Sequence, residues 1–165
     1  MILRDYQQET VDLILNNIDK GIKTQLINSP TGSGKTVIAS EVVKQLVNKG
    51  LKVFFVVANE PLIMQTYNKF VGIGLFPSII KANLDRYYYP DRKVQIVMIQ
   101  SYSARVDKLP DLDPDVIIVD EVDFGFNGQM FKKLVKKHEK AQIVGLTGTP
   151  ITFKGNLLPG FDFYH

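Results

Sequence analysis

Ser29-Pro30-Thr31-Gly32-Ser33-Gly34-Lys35-Thr36 is the stretch on which the rest of the chain turns. An apolar run, Thr24 to Ile27, precedes it, and an amphipathic run beginning at Val37 follows it. Strand, glycine loop and helix in that order make a cradle for phosphate. The glycines let the backbone turn tightly, so that N–H groups converge at a helix N-terminus where the dipole also favours an anion. Lys35 reaches the β- and γ-phosphates from such a loop, and the Thr36 hydroxyl can ligate Mg²⁺. Ser29 stands where the general pattern G-x-x-x-x-G-K-[ST] has its first glycine. A plain glycine turn between strand and helix would not require the Lys-Thr pair that closes the motif.

Working outward, the periodicity alternates between strand and helix. Asp5 to Lys20 reads as a helix, with Val11, Ile14, Leu15 and Ile18 on one face, Asp5 and Gln8 at its start, and Gly21 past its end. Lys35 to Lys49 is the helix after the loop. Val53 to Ala58 is continuously apolar and reads as a strand buried on both faces. Asn59 then caps a helix striped by Ile63, Tyr67 and Phe70. Further strands are expected at Ser78 to Lys81, Val94 to Ile99, Val116 to Val119 and Gln142 to Leu146. Helices are expected at Gln100 to Val106 and Asn127 to His138, and loop or turn at Asp85 to Lys93 and Leu109 to Pro114. Such alternation implies an α/β fold, a mostly parallel sheet with helices on both faces. Ligands on these sheets bind at the carboxyl ends of the strands.

Asp120-Glu121-Val122-Asp123 lies at such an end, after Val116 to Val119. A nucleotide site needs one carboxylate to hold Mg²⁺ and a second group to orient or deprotonate the attacking water. Two adjacent acids on the same sheet edge as the phosphate loop meet that need, whereas acids in isolation would read as a solvated turn.

Composition sets the bounds. The chain has 165 residues, 45% hydrophobic and 22% charged, which is ordinary for a globular domain with a sizeable core. No apolar run approaches the length of a membrane span. Met1 to Asp5 lacks the basic-then-apolar layout of a signal peptide. With no cysteine there are no disulfides and no thiolate metal sites, which fits a reducing, cytoplasmic compartment. The net charge of +3 is compatible with a polyanionic partner.

Two further segments complete a series. Thr147-Gly148-Thr149-Pro150 follows the last strand, and Leu3-Arg4-Asp5-Tyr6-Gln7 opens the chain. Together with the loop and the acids, in this order, they resemble the first RecA-like domain of superfamily 2 helicases and translocases, nearest to the DEAD/DEAH-type enzymes of the RadD, type III restriction and phage helicase group. The resemblance covers essentially the whole chain. It implies a RecA-like domain over residues 1–165, ATP and Mg²⁺ as ligands, and a nucleic-acid-dependent ATPase. Arg4 resembles the group that stacks on adenine and Gln7 the amide that reads its edge, with Gln8 at a poorer spacing. Thr31, Gly32, Ser33, Gly34, Lys35 and Thr36 match the phosphate loop. Asp120 matches the Mg²⁺-holding acid and Glu121 the water-activating one. Val122 and Asp123 depart from both familiar endings of that motif, Ala-Asp and Cys-His or Ala-His. Asp123, Thr147 and Thr149 resemble the residues that couple nucleotide state to movement on nucleic acid. Asn59, and the pair Gln100 and Ser101, resemble strand contacts, although an N-cap and a polar helix start explain them as well. DNA is implied ahead of RNA as the partner. So is a second RecA-like domain carrying an arginine finger, for which too few residues follow Pro150, so that a fragment of a longer protein is the expectation.

Two other functions are open on the sequence. A phosphate-loop kinase would need an acceptor site and usually an arginine-rich lid, and the arginines here are only Arg4, Arg86, Arg92 and Arg105. A nucleotide-dependent binding module without hydrolysis is the other. Tyr87-Tyr88-Tyr89 between Arg86 and Arg92 could stack on bases but reads better as a loop packed on the core. The lysines Lys132, Lys133, Lys136, Lys137 and Lys140 read as a solvated helix face, and His138 and His165 have no partner pattern for a metal.

Overall fold

The structure is a computed structural model that describes residues 2–30, 32–121, 128–148 and 162–165. Its elements follow the alternation in the sequence. They are α1 (Asp5–Asp19), β1 (Thr24–Asn28), α2 (Lys35–Asn48), β2 (Val53–Val57), α3 (Glu60–Gly72), β3 (Ser78–Ile80), β4 (Val94–Met98), α4 (Ile99–Arg105), β5 (Val116–Val119), α5 (Gly128–Lys137), β6 (Gln142–Thr147) and β7 (Phe163–Tyr164). Among the described residues one sheet carries seven strands in the order β3-β4-β2-β5-β6-β1-β7, and every pairing is parallel.

Pleating sends alternate residues of each strand to opposite faces. Val53, Phe55 and Val57 of β2 join Ile118, Ile96 and Val144 in the cluster under α1, α2 and α3. Phe54 and Val56 join Ile117, Val119, Ile143 and Ile80 on the other face, under Tyr102 of α4 and Leu134 of α5. Burial of both faces is why these strands are continuously apolar. Each such side chain contributes about 1.5–3 kcal/mol on leaving water.

Three local features go beyond the sequence reading. Helix α1 begins at Asp5, as expected, and its N-cap is Arg4. The Gln7 Oε1, not Gln8, reaches back to the Arg4 N–H at 3.0 Å, while the Arg4 carbonyl takes the Gln7 N–H. Gln8 instead donates to the Asp12 carboxylate one turn on. Within the expected loop Asp85 to Lys93, Asp85–Tyr87 forms a 3-10 turn. Tyr87 packs edge-on against Tyr67, with centroids 5.2 Å apart, as the packing reading expected. Tyr89 stays exposed beside the Arg92 guanidinium. Finally, β7 pairs with β1 at one sheet edge, where a two-residue strand gives no periodicity to read.

His138 follows α5 and is buried, with its Nε2 2.5 Å from the Tyr102 hydroxyl and its ring edge-on to Phe54. Burial lowers its pKa and Lys137 lowers it further, while Asp113 and Asp111 oppose them. Burial raises the pKa of Tyr102, so the phenol keeps its proton and donates to a neutral imidazole. A lowered folded-state pKa means that the unfolded chain binds the proton more readily below about pH 6.5. Stability is therefore full above that pH and falls as the pH drops from it. Urea midpoints are expected to fall between pH 7 and pH 5, and His138→Gln to flatten that slope. An equal slope in the variant would place the titration elsewhere.

Candidate active site

The register places the carboxyl ends of β1, β6 and β5 side by side, with Asn28 opposite Thr147 and Val119 opposite Gly145. The phosphate loop leaves β1 at that edge, and the Ser29 N–H donates to the Thr147 carbonyl at 2.8 Å. The loop is braced internally by the hydroxyls of Ser29 and Ser33, 2.6 Å apart, and by the Ser33 N–H on the Pro30 carbonyl. Gly32 and Gly34 hold φ of +86° and +84°, a left-handed backbone that costs an L-residue about 1–2 kcal/mol. A Cβ on Gly34 would also collide with the Gln7 amide nitrogen. Gly34 is the N-cap of α2 and its carbonyl takes the N–H of Val37 and Ile38. Among the described residues no carbonyl takes the N–H of Gly34, Lys35 or Thr36. These are the orphan donors of a helix start, in the place where an anion would be received.

Lys35 ion-pairs with Glu121. Glu121, two residues past β5, holds a left-handed backbone (φ 58°). Held backbone of this kind clusters at working sites. Asp120 beside it is buried, its N–H is held by the Val56 carbonyl, and its Oδ1 has no hydrogen-bond partner among the described residues. Burial pushes its carboxyl above the usual range. Lys35 opposes that shift and Glu121 adds to it. A buried carboxylate oxygen without a donor is the group a cation would satisfy, and Thr36 lies in the first turn of α2 across the same edge. The residues present therefore fit Mg²⁺, which usually takes one or two protein oxygens and completes its shell with phosphate and water.

Gln7 is buried beside the loop and Arg4 is exposed at the start of α1. The Gln7 Nε2 donates to the Ser33 carbonyl at 3.0 Å, leaving one amide hydrogen and one lone pair free for a ligand. Thr147 is fully buried. Thr31, Asp123 and Thr149 lie outside the described residues.

A second group of expected residues gathers at the carboxyl ends of β2, β3 and β4. Asn59 caps α3 through the Leu62 N–H at 3.3 Å, the plain structural role. Gln100 donates to the Ala58 carbonyl at 3.2 Å, and the Ser101 hydroxyl accepts the Ala82 N–H at 3.2 Å. The three residues thus meet in space, along one edge. Two groups escaped sequence reasoning, one at this edge and one beside the loop after β1. The Lys81 ammonium, mostly buried, sits 3.0 Å from the exposed Glu60 carboxylate. Near the phosphate loop, the Tyr6 hydroxyl donates to the Ser33 carbonyl at 2.7 Å. A lone Lys after Ile79-Ile80 gave Lys81 only a weak signal. Tyr6 had none, because its partner is 27 residues away.

Comparison with known proteins bears on the family and the fold. Residues 1–152 match the profile of the family described as type III restriction enzyme, res subunit. Over 131 residues the chain is 30% identical to IRC3 of Saccharomyces cerevisiae, whose name describes a candidate ATP-dependent helicase, covering 73% of this chain and 19% of that protein. A 51.5 kDa protein of a Lactococcus phage is 29% identical over 131 residues, 79% of this chain and 25% of its own. The chain thus spans about a fifth to a quarter of these relatives. Among solved structures, the UvsW helicase of bacteriophage T4 superposes with a TM-score of 0.73 at 18% identity, over 91% of this chain and 54% of that one. The type ISP restriction-modification enzyme LlaGI, solved with a DNA substrate mimic, gives 0.73 at 20% identity, over 99% and 19%. These likenesses establish the RecA-like helicase fold.

Proposed function

Because the chain belongs to the type III restriction enzyme res-subunit family and has the form of a helicase-type motor domain, we propose that residues 1–165 are one RecA-like lobe of an ATPase that moves on nucleic acid. The observation that supports this reading is the Lys35–Glu121 ion pair set against a buried Asp120, one of whose oxygens has no partner among the described residues. A cation and two acids lie at one sheet edge, beside helix N–H groups that no described carbonyl takes.

The chemistry assigned to these residues is hydrolysis of ATP by in-line attack of water on the γ-phosphorus, releasing ADP and phosphate. Lys35 neutralises charge on the β- and γ-phosphates. Phosphate and Glu121 compete for the same ammonium, so nucleotide entry frees Glu121 to take the proton of the attacking water. Asp120 and Thr36 would hold Mg²⁺, which supplies further charge neutralisation at the phosphates. Arg4 stacks on adenine, and the remaining donor and acceptor of Gln7 read its edge. Thr147, Asp123 and Thr149 link nucleotide state to the nucleic-acid edge at Asn59, Gln100 and Ser101, where the contacts are to backbone. Solved relatives hold DNA: LlaGI its substrate mimic and the Sulfolobus solfataricus SWI2/SNF2 ATPase core its duplex. DNA is accordingly the partner we favour over RNA. A second RecA-like lobe, carrying an arginine finger, closes the cleft.

The test is an ATPase assay on the longer protein, against single-stranded, duplex and branched DNA and against RNA. Stimulation by DNA is the expected result, with residues 1–165 alone binding Mg·ATP but turning it over poorly. Stimulation by none of these nucleic acids, or strong stimulated turnover by the lobe alone, would refute the reading.

A further inference from the structure

Two consecutive side chains of α1 converge on one carbonyl of the phosphate loop. The Tyr6 hydroxyl and the Gln7 Nε2 donate to the Ser33 oxygen at 2.7 and 3.0 Å. A carbonyl oxygen offers two lone pairs, so this pair of donors saturates it. Gln7 is itself locked, because its Oε1 takes the Arg4 N–H at the start of the helix.

The consequence lies in the peptide that follows. The Ser33–Gly34 bond is trans, so its carbonyl and the Gly34 N–H point in opposite directions. With the oxygen held toward Tyr6 and Gln7, the Gly34 N–H faces the other way, and among the described residues no carbonyl takes it. Glycine on the C-terminal side of this peptide makes rotation of the unit easy, since Gly tolerates φ of either sign. A half-turn would aim the carbonyl where the N–H had been, replacing attraction for an anion by repulsion. Ser33 is not fixed there by regular structure: it lies in the loop between β1 and α2.

We propose that the Tyr6 hydroxyl is a positioning group for the phosphate loop, holding the Ser33–Gly34 peptide in the orientation that keeps the Gly34 N–H available to phosphate. This rests on the nucleotide-binding reading above and adds to it a residue that touches neither base nor phosphate. Tyr6 acts with Gln7 but is separable from it, because Gln7 is buried and also caps α1, whereas Tyr6 is 41% exposed.

Tyr6→Phe keeps the ring and removes only the hydroxyl. Binding of Mg·ATP and of Mg·tripolyphosphate, a ligand with no base, is measured on wild type and variant, alongside ligand-free thermal unfolding. Both ligands are expected to bind about three- to tenfold more weakly to the variant, as when only about a tenth to a third of the molecules keep the competent orientation, with the unfolding midpoint lowered by no more than the loss of one exposed hydrogen bond. Loss for ATP alone would make Tyr6 a base contact and overturn the proposal. Unchanged affinities would overturn it too, whether or not the midpoint fell. Failure of the wild type to bind either ligand would instead refute the nucleotide-binding reading, and this proposal with it.

Discussion

Glu121→Gln in the longer protein is expected to abolish multiple turnover while leaving Mg·ATP bound. The amide keeps the size and hydrogen-bonding reach of the carboxylate but cannot take a proton, and loss of a positioned general base costs about 10²–10⁴ in rate. The geometry adds a second expectation. Glu121 is the ion-pair partner of Lys35, so neutralising it removes a competitor of the phosphates for that ammonium. Nucleotide affinity should therefore hold or rise. Equilibrium binding and single-turnover hydrolysis, measured side by side, separate the two effects. Full turnover in the variant would move the water-activating role to another residue. Intact hydrolysis with weakened binding would mean that Glu121 serves only to shape the site.

Lys35→Ala is expected to do the opposite and fail at binding. A charge-assisted bond to phosphate contributes about 1.5–3 kcal/mol, so affinity for ATP should fall by at least roughly tenfold to a hundredfold. The loss should be largest for ATP, smaller for ADP and least for adenosine, since the ammonium reaches only the terminal phosphates. The change also strips Glu121 of its partner. Two acids then remain side by side at the end of β5, with Asp120 buried and already pushed toward its neutral form. Metal-dependent nucleotide binding should suffer along with direct phosphate contact. Calorimetric titration with the three ligands reads the series, and equal losses for all three would place Lys35 at the base or sugar.

Much of the architecture was legible before any coordinates. Strands buried on both faces of a parallel sheet are continuously apolar, so Val53 to Val57, Val94 to Met98 and Val116 to Val119 announce themselves. Helices packed on one side keep a stripe, as in Val11, Ile14, Leu15 and Ile18. The glycine loop, Asp120 and Glu121 stood out as candidates because nucleotide chemistry requires particular residue types at strand ends. The start of α1 at Asp5 was legible, but its capping pair was not. Asp5 with Gln8 and Arg4 with Gln7 share the same spacing, and only the position of Gln7 against Ser33 decides between them.

The chain's sequence alone determined its fold class and singled out the glycine loop and the two acids as candidates, because each depends on local spacing and residue chemistry. Only the tertiary structure decided which groups meet. It set Lys35 against Glu121, left one oxygen of Asp120 without a partner among the described residues, tied Lys81 to Glu60 and Ser101 to Ala82, and placed Tyr6 on the carbonyl of Ser33. These contacts join residues far apart in the chain, across neighbouring strands and helices. Their partners are fixed by strand order and register, which no local pattern encodes.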